Sequence, residues 1–228
     1  AGLVTIGARA DSRAALEEKV IELMTTALPE EATQATVEAL CEGKRAVVLG
    51  PGMGLDDEIG RAWALAFARY APVPMVIDAD GLTNLVEEGL GFLRDSAGPR
   101  ILTPHPGEAA RLLDCSTSDV QRDRYAAAES LAEQSGQVVI LKGARSIVAA
   151  AGALRVCAEG TPALGVAGTG DVLSGVVGAL AMSLVPVDAA IAGALLHALA
   201  GVEASVGDRG LMASEVADAV PVVLDQLG

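Results

Sequence analysis

The 228-residue sequence has little cysteine, few aromatic residues and few basic side chains. The three cysteines, Cys41, Cys115 and Cys157, are odd in number, far apart and outside any CxxC pattern. This spacing argues against a disulfide framework or a zinc site, so we expect a reduced, cytoplasmic setting. Only 16 basic residues face 30 acidic ones, the net charge is −14, and no Lys/Arg run occurs. Nucleic acid and anionic membrane are therefore not expected as partners.

Long apolar runs and a secretory signal are also missing, because glycine, proline or charge interrupts each apolar run before it reaches membrane-spanning length. Hydrophobic residues nevertheless make up 51% of the chain, which is enough to bury a large core. We therefore expect residues 1–228 to form a single α/β domain.

Apolar, β-branched runs alternate with amphipathic stretches, the pattern of a mainly parallel sheet covered by helices on both faces. The predicted strands are 2–6, 45–49, 74–78, 100–103 and 137–141. Helices are predicted over 57–70, 107–113 and 118–135, and again over 172–182, 187–206 and 213–227. Residues 146–150 and 153–157 are predicted to form a hairpin turning at Ala151-Gly152.

The segment GTPALGVAGTGDVLSG at 160–175 joins a glycine-rich loop to Asp171 and a helical run. Glycines such as Gly165, Gly168 and Gly170 allow positive φ and close approach, and the amides at a helix start attract anions. Asp171 is then either a helix cap or a carboxylate presented to a phosphate.

Further polar residues follow other predicted strands, where ligands bind in open α/β sheets. GPGMG at 50–54 is either a ligand loop or a tight turn. Asp78 and Asp80 would share one face if their strand continued, and each could hold Mg²⁺ through water or cap the next helix.

His105 lies between two prolines that restrict its backbone, and Glu108 would complement the dipole of the helix that follows. Lys142 is one of only three lysines and ends a buried strand, where an anionic ligand would offset its charge unless the side chain reaches solvent. His197 lies in an Ala/Leu-rich helical run and is predicted to pack in the core.

Taken together, these segments resemble the ADP- or ATP-dependent NAD(P)H-hydrate dehydratases, which have a ribokinase-like fold. The resemblance spans the chain, and its motifs are GLVTI at 2–6, VVLGPGMG at 47–54, VIDADGL at 76–82, ILTPHPGEAARLL at 101–113, VVILKGARSIVA at 138–149 and AGTGDVLSG at 167–175. It implies a three-layer αβα sandwich. It also implies repair of hydrated NADH or NADPH, in which ADP or ATP phosphorylates the ring hydroxyl and phosphate is then eliminated. ADP, giving AMP, is the expected donor.

The resemblance assigns roles to individual positions. Asp171 would be the catalytic base and would contact the hydrated dinucleotide together with Gly54 and His105. The nucleotide would be bound by Lys142, Gly143, Ala144, Arg145, Ser146 and Gly170, and the anion hole would consist of Ala167, Gly168, Thr169 and Gly170. Asp78, Asp80 and Glu108 would be metal-water ligands or supporting residues, and Mg²⁺ is implied by the polyphosphate.

The chain departs from the family pattern in two places. Thr161, Ala163 and Ala167 replace Asn, Gly and Gly, and the alanines would restrict any backbone position that needs positive φ. The family's opening strand, glycine-rich turn and helix also do not precede GLVTI, so the domain is expected to be N-terminally incomplete and less stable than a longer form. A homotetramer and a fused or partner epimerase are further implications.

Two other functions remain open from the sequence. An ATP-dependent kinase acting on a vitamin precursor or a sugar would share the fold and the GTGD-type turn. A catalytically idle nucleotide-binding protein would keep the turn without the reaction. The TPHPGE and KGAR motifs favour the dehydratase.

Overall fold

A computed structural model describes residues 1–55 and 58–227 and places a six-stranded sheet at the centre of the chain. The strands lie in sequence order, and their bounds are β3 (Val47–Leu49), β4 (Met75–Ile77), β5 (Arg100–Leu102), β6 (Val138–Leu141), β7 (Ile147–Ala150) and β8 (Ala153–Val156). The first four are parallel, and the last two form the predicted antiparallel hairpin. The mainly parallel sheet is thus confirmed.

An additional two-stranded parallel sheet joins β1 (Thr5–Ala8) to β2 (Met24–Ala27). The strand predicted at 2–6 therefore begins three residues later and pairs with β2 rather than with the central sheet. Its neighbour β2 was not predicted, because the alternation in MTTA is too short to stand out.

Ten helices lie within the described residues: α1 (Ala10–Glu17), α2 (Gln34–Cys41), α3 (Glu58–Tyr70), α4 (Ala79–Asn84), α5 (Pro106–Leu112), α6 (Thr117–Arg122), α7 (Arg124–Ser135), α8 (Thr169–Leu180), α9 (Pro186–Ala204) and α10 (Ala213–Leu227). Asp57, the first residue of the predicted 57–70 helix, lies outside the described residues. The predicted 118–135 helix is two helices, because Asp123 leaves helical geometry and caps α7 by accepting from the Ala126 amide.

The strands divide their side chains between two cores. Met75 and Ile77 lie in a core with the helices α3, α5 and α7, while Val76 between them lies in a second core with α8 and α9. Ile101 likewise faces the second core and Leu102 the first. This alternation of fully buried residues produces the expected three-layer αβα sandwich.

Arg100 is fully buried in β5, at the end of the sheet opposite the polar strand ends. Its guanidinium donates to the carbonyls of Ala68 (2.9 Å) and Ala71 (2.8 Å), where helix α3 ends. Burial lowers the pKa of Arg100 to about 10. The side chain thus satisfies carbonyls that the end of a helix leaves unpaired.

Helix α9 is long and apolar enough, by length and composition alone, to cross a membrane. In the fold it packs against α8, α10 and strands of the sheet. Its composition of alanine, glycine and leucine is accounted for by close packing between helices.

Candidate active site

Polar residues from three strands meet at the carboxyl end of the sheet. Asp78 follows β4 and is almost fully buried, with a relative exposure of 1%. Its Oδ1 lies 2.6 Å from Nζ of Lys142, which follows β6. Its Oδ2 accepts a 2.7 Å hydrogen bond from Oγ of Ser174 in helix α8. The Asp78 carboxylate therefore joins two strand ends to the helix that carries Asp171.

Glu108 and His105 extend this network from the loop after β5. Glu108 Oε2 accepts a 2.7 Å hydrogen bond from the His105 amide and lies 3.8 Å from the Lys142 ammonium. The His105 ring caps α5, because its Nδ1 accepts from the Gly107 and Glu108 amides. Its Nε2 lies 3.5 Å from Glu108 Oε1, and the half-exposed ring presents its open face to a ligand.

Helix α8 begins at Thr169, two residues before Asp171. Gly168 has φ +88°, and the amides of the first turn that follows have no partner within the helix. The Thr169 hydroxyl donates to the carbonyls of Leu164 (2.8 Å) and Val166 (2.9 Å), which fixes the glycine loop against the helix. These amides and the positive end of the helix dipole form a turn of the kind that binds anions in other proteins.

Asp171 is the third residue of α8 and is exposed. The cap position belongs to Gly168, so Asp171 is not the N-cap; it lies in the first turn, where its charge complements the helix dipole. Partial desolvation raises the pKa of the Asp171 carboxyl, the negative charge of Asp78 raises it further, and Lys142 opposes both. A raised pKa makes the carboxylate a better proton acceptor.

The loop at 50–54 lies against the start of α4. A Cβ on Gly50, whose φ is +122°, would be 1.8 Å from the Asp78 carbonyl oxygen, so this position requires glycine. The Gly54 amide donates a 2.8 Å hydrogen bond to Asp80 Oδ2. Asp78 and Asp80 do not share a face as predicted, because β4 ends at Ile77 and α4 begins at Ala79, whose φ is +47°.

Arg124 holds the loop of residues 142–146 in place through hydrogen bonds to its backbone. Its guanidinium donates to the carbonyls of Ala144 (2.6 Å), Leu141 (3.3 Å) and Lys142 (3.3 Å). A Cβ on Gly143 would lie 2.9 Å from the same guanidinium. A concavity of about 230 Å³ opens between this loop and the corner of α6 and α7.

The structure also bears on the two alanines in the glycine loop. Neither Ala163 nor Ala167 has a positive φ, and Gly165 has φ −76°. Only Gly168 adopts the left-handed conformation among the loop glycines from 165 to 170, so the expected backbone restriction does not arise. Thr161 caps the short turn by accepting from the Ala163 amide.

The predicted site residues thus fall into linked groups. One network lies beside the α8 turn that carries Asp171, and its members are Asp78, Lys142, Glu108 and His105. A separate hydrogen bond joins Asp80 to Gly54. Ser174 and Arg124 belong to the site but were not predicted. The serine follows Asp171 by one helical turn, which is a usable signal, whereas Arg124 lies in no motif.

Comparison with known proteins identifies the family. The family model described as NAD(P)H-hydrate dehydratase matches residues 1–221. This chain belongs to the NAD(P)H-hydrate dehydratase family. A bifunctional NAD(P)H-hydrate repair enzyme of Escherichia coli is 40% identical over 220 residues, which is 95% of this chain and 41% of that protein. The chain spans about half the length of the curated relatives it matches.

Solved structures establish the fold. The ADP/ATP-dependent NAD(P)H-hydrate dehydratase of Bacillus subtilis, crystallised with ATP and Mg²⁺, superposes with a TM-score of 0.81 at 24% identity, covering 100% of this chain and 82% of that one. A ribokinase-like superfamily protein of Enterococcus faecalis has the same TM-score at 20% identity, covering 99% and 78%. The predicted ribokinase-like fold is confirmed.

Proposed function

We propose that this chain dehydrates hydrated NADH or NADPH at the expense of ADP or ATP, with ADP as the expected donor. One observation carries the proposal: Asp171, with a raised pKa, lies in the unpaired amide turn of α8 beside Lys142. Phosphoryl transfer requires a proton acceptor next to a place for transferred phosphate, and this turn supplies both. Family membership selects the hydrated nicotinamide as the acceptor.

The reaction has two steps. Asp171 takes the proton of the hydrate's ring hydroxyl while the hydroxyl oxygen attacks the terminal phosphorus of the nucleotide. The bond between that phosphorus and the oxygen of the leaving AMP or ADP breaks. The amides of the α8 turn stabilise the charge on the transferred group. The carbon–oxygen bond then breaks with the help of the ring nitrogen's lone pair, phosphate leaves, and the neighbouring carbon loses a proton to restore the dihydropyridine.

The two substrates are assigned to opposite sides of Asp171. The nucleotide lies against residues 142–146 and Gly170, because a concavity lined by Ala144 and Arg145 opens beside this loop, and the first-turn amides of α8 are placed for its phosphates. The hydrated dinucleotide lies against Gly54 and His105. Both positions are at strand ends, where an open α/β sheet binds ligands.

Mg²⁺ fits this site as an ion carried by the nucleotide phosphates. No cluster of three or more His, Cys, Asp or Glu side chains suited to a metal occurs in the described part of the chain. The three candidate carboxylates already have partners in the protein: Asp78 accepts from Lys142, Asp80 from the Gly54 amide and Glu108 from the His105 amide. Mg²⁺ commonly keeps several waters and binds mainly phosphates, and it would neutralise their charge here.

The test is recovery of the reduced-ring absorbance when hydrated NADH or NADPH is incubated with the protein and ADP, or with ATP. We expect recovery with wild type and a loss of 10²–10⁴-fold, an order-of-magnitude range for a general base, in Asp171→Asn. Asp188→Asn removes an exposed carboxylate from the first turn of α9 and serves as the matched control. No recovery with either nucleotide would reject the dehydratase, and phosphorylation of a vitamin precursor or sugar instead would support the kinase.

A further inference from the structure

We infer that Ser174 and Asp78 are positioning residues for Asp171: their hydrogen bond holds the first turns of α8 against the sheet, and the buried charge of Asp78 acts on the Asp171 carboxylate. The inference rests on the proposed function, in which Asp171 is the base. It gives roles to two residues that touch no reacting atom.

The Ser174 hydroxyl is the anchor. Ser174 is fully buried and lies three residues after Asp171, so the two residues are neighbours on the helix surface. Its Oγ donates 2.7 Å to Oδ2 of Asp78, which is itself buried at the end of β4. Hydrogen bonds to charged groups are stronger than neutral ones, so this bond fixes where the turn lies on the sheet.

The other oxygen of Asp78 fixes the same turn through Lys142. The Lys142 ammonium, 2.6 Å from Asp78 Oδ1, lies 3.4 Å from where a Cβ on Gly170 would be. That position is also 3.8 Å from Asp78 Oδ2. The ion pair therefore packs directly against the residue that precedes Asp171.

The charged groups that act on the Asp171 carboxyl are Asp78 and Asp80, which lie at the end of β4 and in α4, and Lys142 at the end of β6. The other helices packed against α8 carry the titratable side chains His197 (α9) and Glu215 (α10). Asp78 acts on the pKa of Asp171 more strongly than Lys142 does, and Asp80 adds a smaller effect in the same direction as Asp78. His197 is partly buried and desolvation lowers its pKa, while Glu215 accepts from the Met212 amide just before its own helix.

Position and charge can be separated by two substitutions. Ser174→Ala removes the anchor but leaves the charges, so kcat should fall about tenfold while the acidic limb of the pH–rate profile stays in place. Asp78→Asn keeps an oxygen for Lys142 and an amide for Ser174 but removes the charge. The acidic limb, and the pKa of Asp171 measured by carboxyl NMR, should then move to lower pH.

Two controls keep this inference testable on its own. The double variant Asp78→Asn/Lys142→Gln leaves neither member of the Asp78–Lys142 pair without its partner and should also lower the pKa of Asp171, because the effect of Asp78 exceeds that of Lys142. Asp188→Asn, at the start of α9, should leave it unchanged. The NMR titration needs no turnover, so it tests the charge effect even if the dehydratase assay fails.

The inference is overturned by either of two results. One is a pKa of Asp171 that does not move in folded Asp78→Asn or in the double variant. The other is a kcat of Ser174→Ala equal to that of an active wild type. A purely structural role would lower the melting temperature of both variants without a shift of the acidic limb in Asp78→Asn.

Discussion

The ammonium of Lys142 lies 2.6 Å from Oδ1 of Asp78, although the two residues are 64 positions apart. The lysine at the end of β6 is thus already neutralised by a buried carboxylate before any nucleotide is bound. In the proposed reaction, phosphate bound at the adjacent α8 turn would add negative charge beside this pair. Lys142 therefore has a structural partner as well as the proposed ligand.

Removing one member of this ion pair should lower the free energy of unfolding. Lys142→Met leaves the Asp78 carboxylate buried without its cation, and we expect a loss of about 3–5 kcal/mol in the free energy of unfolding. The double variant Lys142→Met/Asp78→Asn should regain most of it, because the uncompensated charge at position 78 is removed with the lysine. Urea unfolding measures both. Equal stabilities for the single and double variants would contradict the pairing.

Gly50 should not tolerate a side chain. An alanine there would have its Cβ 1.8 Å from the Asp78 carbonyl oxygen at φ +122°. Strained backbone alone costs roughly 1–3 kcal/mol, and the clash adds to it, so Gly50→Ala should unfold at markedly lower temperature and lose activity. Gly91→Ala is the matched control, because its Cβ would meet nothing within 4 Å. Similar melting temperatures for the two variants would refute this prediction.

Arg124 should matter for the nucleotide. Arg124→Ala removes the donor that holds the carbonyls of the 142–146 loop, so the KM for ADP or ATP should rise several-fold with little change in the KM for the hydrate. Arg69→Ala, which removes an arginine that donates to the Phe92 carbonyl near the end of α3, should leave both KM values unchanged. Equal effects of the two substitutions would mean that Arg124 does not support this loop.

Asp80 should matter for the other substrate. Its carboxylate accepts from the Gly54 amide at 2.8 Å, so Asp80→Ala should loosen the 50–54 loop. We expect a several-fold higher KM for the hydrated dinucleotide and an unchanged KM for the nucleotide. Steady-state kinetics with each substrate varied in turn provides the measurement. A change confined to the nucleotide would reverse our assignment of the two sides of the site.

His197 should make stability depend on pH. Burial lowers its pKa below the usual 6.5, so the unfolded chain takes up the proton first as pH falls. Its contribution to stability is therefore full above pH 6.5 and is lost between 6.5 and the lower folded value. As the pH falls through this window, the melting temperature of wild type should drop more than that of His197→Leu. Parallel plots of melting temperature against pH would show that His197 does not titrate on unfolding.

Local sequence signals predicted most of the central architecture. The strands β3 to β8 and the helices α3, α5, α8, α9 and α10 were predicted to within a few residues, because their hydrophobic periodicity is strong. The helices α1, α2 and α4 and the strand β2 were not predicted. Helix α4 begins directly after a strand, at Ala79 in a left-handed conformation that no pattern in the sequence marks.

The sequence by itself determined the family, the ribokinase-like sandwich and the motifs that carry Asp171, His105 and Lys142. Only the tertiary structure decided which groups pair: Lys142 with Asp78, Ser174 with Asp78, Asp80 with Gly54, and Arg124 with the carbonyls of the 142–146 loop. Each of these contacts joins residues more than about fifteen positions apart. Periodicity and propensity report neighbours along the chain, whereas a buried charge selects its partner in space.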